Sequence, residues 1–367
     1  MTKVLIILPQ LWTGGIQKVN IELAANMKDP DIDLTILSLY PYSGSNFDKQ
    51  AEEQGIKVKY LDKKPGVDLS IIPKINRFFK EYKPDVIHIN QRMTTYVLIP
   101  MLINRIKRRM YVVHSLADKD AKGIPRKINK FAFQHLKLIP VAVSDTCLDS
   151  MADVYDLPKE RIKCIYNGVD TEKFKRKTPY EKMLADTCTF VTACAFRKVK
   201  NLPLLVDAFA IVHKKHPSSR LIIVGDAMEG EEYMAEELKD KIASLGLQNS
   251  IELPGRQDDI PAWLEKGHVY VLSSDFEGLP VSVLEAMSAA LPIVTTDAGG
   301  VVDIVKDGEN GFIVPVGGTA QLVDAMLKLV KHPETRLSFS QKSEELAQNY
   351  SVVKCAERYA QLYKGEL

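Results

Sequence analysis

Long apolar runs are missing from this sequence. No stretch of about 18 apolar residues occurs, so no membrane-spanning helix is expected. The segment Met1–Pro9 is apolar but short, and no small-residue cleavage site follows it; it reads as a first core strand, not a signal peptide. Cysteine is sparse. The five (Cys147, Cys164, Cys188, Cys194, Cys355) are scattered and contain no Cys-x-x-Cys pair. That argues against a disulfide framework or a cysteine zinc site and suits a reducing cytoplasm. No His/Cys spacing suits zinc either. The first glycine-containing turn lacks a Gly-x-Gly-x-x-Gly fingerprint, which weakens a dinucleotide reading. Short-period repeats and low-complexity segments are absent.

What is present is an ordinary globular composition, 46% hydrophobic, over 367 residues. That length favours two or three domains. The net charge of +2 hides an asymmetry. Residues 1–177 hold 30 Lys and Arg against 20 Asp and Glu, or +10; the remainder holds 19 against 27, or −8. One half is therefore expected to meet something anionic. Apolar strand-like runs alternate with helical stretches: Val4–Leu8, Leu34–Leu37, Val58–Leu61, Asp85–Ile89, Met110–Val113, Leu138–Val143 and Ile162–Tyr166. This implies a mostly parallel sheet. The polar stretch Thr178–Asp186 reads as a linker. The pattern then restarts with Thr189–Ala195, Arg220–Val224, Ile251–Leu253, His268–Ser273 and Leu291–Thr296. At the end, Val352, Cys355, Ala356, Tyr359, Ala360 and Tyr363 form one apolar stripe that needs a surface to cover.

The richest stretch runs from Ser273 to Met287. Glu277 and Glu285 sit eight positions apart around Gly278-Leu279-Pro280, which reads as the start of a helix with Pro at its first position. Glu285 on that helix leans back toward Glu277, so both can face one ligand at the C-terminal edge of a parallel sheet. Arg197 and Lys200 follow a core strand and could bind a diphosphate, Arg as a fork and Lys as a point charge; a solvated loop is the competing reading. Gly14-Gly15 offers free backbone N–H groups at a helix start; a simple tight turn is the competing reading. Gly299-Gly300, with Asp303 after it, is a second such pair. His114 stands where a strand gives way to loop. His88, inside Val86–Ile89, reads as a core histidine. Asp118 and Asp120, and the run Asp29–Asp33, read as solvated loops, not metal ligands. Residues 104–137 carry ten Lys and Arg against two Asp, with apolar residues at 124–138. They could lie on an anionic membrane surface or pack on their own domain. Nucleic acid is not an expected partner, because the other half is acidic and no binding motif is present.

Taken in order, these residues resemble the retaining glycosyltransferases of the large GT4 family, which have the GT-B fold. The core of the resemblance is the Glu-x7-Glu motif Glu277–Glu285. Gly14-Gly15, His114, Ser144, Asn167–Asp170, Arg197, Lys200-Asn201, Gly225-Asp226, Gly255-Arg256, Gly299-Gly300 and Asn310-Gly311 support it along nearly the whole chain. The resemblance implies an α/β architecture of two Rossmann-like domains whose parallel sheets face across a cleft. Residues 1–177 would bind the acceptor, with 351–367 packing back on them, and 187–350 would bind a sugar nucleotide. It implies sugar transfer from a nucleotide diphosphate sugar, a UDP-sugar foremost, to a hydroxyl of a saccharide acceptor; the basic first half adds the expectation of an anionic, lipid-linked saccharide, as in surface polysaccharide biosynthesis. The nucleotide sugar is a co-substrate; no other cofactor and no metal are implied. The chain would work in the cytoplasm, at the inner face of the cell membrane. By resemblance, Arg197 and Lys200 clamp the diphosphate and Glu285 binds the ribose. Glu277 touches the donor sugar with the Gly278-Leu279 backbone, Gly14-Gly15 approaches the diphosphate, and His114 lies near the transferred sugar. Two details depart from the family: Arg197 and Lys200 are only three positions apart, and Asp303 stands where relatives usually carry Glu. A sugar-nucleotide epimerase on the same fold and a non-catalytic binding partner are the alternatives.

Overall fold

The computed structural model describes residues 1–12, 14–228 and 230–367. They form two compact units, Met1–Gly168 with Val352–Leu367, and Val169–Ser351.

The first unit holds seven parallel strands: β1 (Thr2–Leu8), β2 (Ile32–Ser38), β3 (Val58–Tyr60), β4 (Val86–Asn90), β5 (Arg108–Val113), β6 (Ile139–Ala142) and β7 (Lys163–Cys164). Their order is β3-β2-β1-β4-β5-β6-β7. Val4 to Leu8 are all fully buried. A continuous apolar run is what a parallel strand covered on both faces requires. Strand order reverses between β1 and β4, so the loops after these two strands open at a switch point, where such sheets bind ligands.

His88 sits in β4 beside Ile6 of β1. It is buried, 2.7 Å from the Tyr363 hydroxyl and stacked on Tyr359. The core reading of His88 is therefore correct. Tyr359 and Tyr363 belong to the helix Val352–Lys364, whose apolar stripe is buried in this unit against β1 and the helix Gly15–Ala25. Gly168 lets that helix approach: a Cβ there would lie 2.5 Å from the Val352 Cα.

The second unit holds six parallel strands: β8 (Thr189–Ala193), β9 (Arg220–Val224), β10 (Ile251–Gly255), β11 (Val269–Leu272), β12 (Ile293–Thr296) and β13 (Gly311–Val314). Their order is β10-β9-β8-β11-β12-β13, with the switch between β8 and β11. One expectation fails here. Residues 178–186 are not a linker but part of this unit, which begins at Val169. A 3-10 turn, Tyr180–Leu184, packs on the helix Pro333–Ala347. Arg336 on that helix is fully buried and donates to the carbonyls of Met183 (2.7 Å), Leu329 (2.9 Å) and Ala185. The stretch looked like a linker because a distant side chain, not a strand ladder, satisfies its backbone.

Candidate active site

In the second unit the loops after β8 and β11 are stitched together at the switch point. After β8 the chain passes Arg197, makes a 3-10 turn at Lys198–Lys200, and enters the helix Leu202–Lys215 through Asn201, which is left-handed at φ 46°. Asparagine tolerates that conformation better than most residues. The Asn201 side chain donates to Asp275 Oδ1 at 2.9 Å, the Asp275 N–H to Val199 O at 2.8 Å, and the Ser273 hydroxyl to Lys200 O at 2.9 Å.

These bonds bring Lys200 and Glu277 together. The Lys200 ammonium lies 2.6 Å from Glu277 Oε1, with the two side chains 17% and 13% exposed. The Ser274 hydroxyl donates to the same oxygen at 2.6 Å. Burial by itself works against the Lys200 charge, but the Glu277 carboxylate outweighs it and the pKa is raised. Glu277 is also held by its backbone: its N–H donates to Ala298 O at 2.6 Å, and the Gly300 N–H to Glu277 O at 3.3 Å. The first glycine of the Gly299-Gly300 pair has φ 81°, a conformation that favours glycine.

Arg197 is exposed on the loop that carries Lys200. Gly278 and Leu279 are buried. Glu285 lies in the helix Val281–Ser288 and is only 5% exposed. Pro280 precedes that helix as its cap and is not its first residue, a shift of one position from expectation. Asp303 falls in the short helix Val301–Ile304. Gly225 admits no substitute: at φ 134° a Cβ would lie 1.9 Å from Cys194 O.

In the first unit Gly14 caps the helix Gly15–Ala25 with φ 129°, and a Cβ there would meet Gln17 Oε1 at 2.7 Å. Gly14 therefore leaves backbone, with no side chain, at the start of that helix. His114 follows β5, with Nε2 2.7 Å from Asn90 Oδ1. Burial pushes its pKa down to about 4, so the ring is neutral at neutral pH. Asn90 at the end of β4 was not singled out from sequence. Its only signal was an amide closing an apolar strand.

The acidic runs are partnered. Asp29 is 2.6 Å from Lys364 and Asp33 2.6 Å from Lys57. Asp120 is no solvated loop residue: it accepts the Tyr111 hydroxyl at 2.6 Å, and burial raises its pKa to about 6. Among the described residues no group of three His, Cys, Asp or Glu is placed to hold a metal.

Two parallel sheets, each with a glycine- or cation-bearing loop at its switch point, define an α/β enzyme of the nucleotide-binding kind. Comparison with known proteins narrows this. Residues 13–173 match the model of Glycosyltransferase Family 4, and residues 176–346 that of Glycosyl transferases group 1. The chain belongs to this family of glycosyltransferases and has the GT-B fold. It is 23% identical over 316 residues to N-acetyl-alpha-D-glucosaminyl L-malate synthase of Bacillus anthracis, covering 82% of this chain and 79% of that protein. It is 24% identical over 317 residues to UDP-Gal:alpha-D-GlcNAc-diphosphoundecaprenol alpha-1,3-galactosyltransferase of Escherichia coli, covering 81% and 79%. The crystal structure of Anabaena Alr3699/HepE in complex with UDP and glucose superposes with a TM-score of 0.86 at 21% identity, covering 99% of this chain and 100% of that one.

Proposed function

We propose that this glycosyltransferase is a retaining enzyme that moves a sugar from a UDP-sugar to a hydroxyl of a saccharide or lipid-linked saccharide, in surface polysaccharide assembly. The observation that carries the reading is the largely buried Lys200–Glu277 pair at the switch point of the second sheet, beside exposed Arg197. Arg197 and Lys200 meet the diphosphate there, Glu277 with the Gly278-Leu279 backbone meets the sugar, and Glu285 meets the ribose. Gly14-Gly15 and His114 serve the reacting end from the first unit. As the bond from the anomeric carbon to the diphosphate oxygen breaks, negative charge grows on the leaving group, and fixed cations stabilise it. The acceptor oxygen bonds to the same face of that carbon, and its proton passes to the departing phosphate oxygen. Two cations at the diphosphate let the reaction run without a metal. The Anabaena complex and the name of the E. coli relative support the uridine nucleotide. Both family models are of glycosyltransferases and lend the epimerase alternative no support.

A screen of UDP-, GDP- and ADP-sugars by donor hydrolysis tests the donor, and NMR of the product's anomeric configuration tests retention. Lys200→Ala and Glu285→Ala are each expected to lower transfer by about 10²-fold or more, the usual size for a lost charge-stabilising or positioning contact, while circular dichroism stays native. Full activity in both would remove the site assignment.

The same reading places the chain on the cytoplasmic side, against an anionic membrane. No helix among the described residues is long and apolar enough to cross one. Within residues 104–137, the helix Gly123–His135 buries Asn129, Ala132 and Phe133 yet leaves Ile124 and Phe131 exposed among Arg126, Lys127 and Lys130. Basic residues around exposed apolar side chains suit an anionic lipid surface. Flotation with anionic but not neutral liposomes is the expected result; failure with both, whatever the salt, removes the membrane contact.

A further inference from the structure

A chain of amides runs under the glycine loop of the first unit. The Asn20 side-chain NH2 donates to Ile16 O at 2.8 Å and to Asn90 Oδ1 at 3.4 Å, which leaves Asn20 Oδ1 as the acceptor of the pair. Asn90 Nδ2 donates to Asn20 Oδ1 at 3.3 Å and to Ile7 O at 3.4 Å. Backbone carbonyls can only accept, so Ile16 O and Ile7 O fix the orientation of both amides. Asn90 is then left with Oδ1 toward His114 Nε2, 2.7 Å away. An amide oxygen cannot donate, so Nε2 must carry the ring's proton, and Nδ1 of the neutral ring is a bare acceptor. Asn20 and Asn90 are almost wholly buried. The residue after Asn90, Gln91, is held at φ 47°, and backbone strain of this kind clusters at functional sites.

We propose that Asn90, backed by Asn20, is a positioning residue that fixes the Nε2–H tautomer of His114, so that His114 offers Nδ1 to a substrate hydroxyl as a hydrogen-bond acceptor. The tautomer follows from this unit's geometry alone; the hydroxyl partner rests on the transferase reading. A neutral acceptor at this point would orient a sugar or acceptor hydroxyl and lend the reacting centre no positive charge. The nearest titratable neighbour, His88 on β4, is itself held neutral by burial and supplies no charge.

The test is long-range 1H–15N NMR of the His114 ring, assigned by the signal lost in His114→Gln. In the wild type the proton is expected on Nε2. Asn90→Leu, which removes the acceptor, should mix the tautomers and lower kcat by about ten-fold or more, with UDP binding by calorimetry unchanged. Asn90→Asp keeps an acceptor for the same proton, so it should keep the tautomer and raise the His114 pKa above its value of about 4. If Asn90→Leu fails to fold, Asn90→Asp and Asn20→Leu carry the same readout. A wild-type proton on Nδ1, or an unchanged tautomer in Asn90→Leu, overturns the proposal. A mixed tautomer with unchanged kcat overturns its catalytic half. A wild-type ring with Nε2–H in a chain that transfers no sugar would leave the positioning intact and count against the transferase reading alone.

Discussion

The Lys200–Glu277 contact ties donor binding to the integrity of the second unit. With Glu277→Ala the ammonium is left largely buried without its carboxylate. Removing one member of a buried pair is far costlier than removing both, so a loss of about 2 kcal/mol is expected, reduced from the fully buried case by the residual exposure. Urea unfolding of Glu277→Ala, Lys200→Met and the double variant checks this; the double variant should recover much of the loss, and strict additivity would show that the pair is not coupled. The members of this pair were readable in sequence because both stand directly after apolar strands. Their mutual bond was not, since it depends on β8 and β11 being neighbours although 75 residues lie between the end of one and the start of the other. Asn20 and Asn90 were unreadable for the same reason. A buried amide looks like any polar residue until the strand beside it is known.

Strands were the most legible elements. Most are short apolar runs, which parallel sheets need; β3 and β7 are not, and β13 (Gly311–Val314) went unread. Helices with weak stripes were less so. Asp145–Tyr155 passed unnoticed although Ser144 caps it, its side chain accepting from the Cys147 N–H at 3.1 Å; so did Asn46–Glu53 behind the Ser45 and Asp48 capping box. The supposed linker at 178–186 shows the limit of pattern reading. Its carbonyls are held by an arginine more than 150 positions away, and its Tyr180 and Lys182 side chains by Glu344 and the Glu265 carbonyl. Arg336→Leu would strand three carbonyls in the interior, and a loss on the order of 3 kcal/mol is expected from hydrogen bonds to a buried charged donor. Limited proteolysis should then cut near Tyr180–Leu184 first. A variant as stable and as resistant as the wild type would mean that the turn is held by other contacts.

Across the whole molecule, acid should act through buried histidines. Burial lowers the pKa of His88 to about 3, of His114 to about 4 and of His268 to about 3. Each is neutral when folded but takes up a proton near its ordinary pKa of about 6.5 when unfolded. The unfolded chain therefore binds more protons below that value. Stability is complete above it and falls as pH drops toward 4, by up to about 1.4 kcal/mol per pH unit for each histidine. Urea midpoints at pH 7 and pH 5 check this, and equal midpoints would refute it. His88→Phe should flatten the slope.

The helix Val352–Lys364 belongs to the unit that begins at Met1. In a ribosome's order of work, that unit is begun first and finished last. Its β1 face and His88 wait for Tyr359 and Tyr363 until the entire second unit has been made. A nascent chain halted near residue 340 would thus hold a nearly complete second unit attached to a first one with an open flank. A chaperone that recognises exposed apolar surface would find it there.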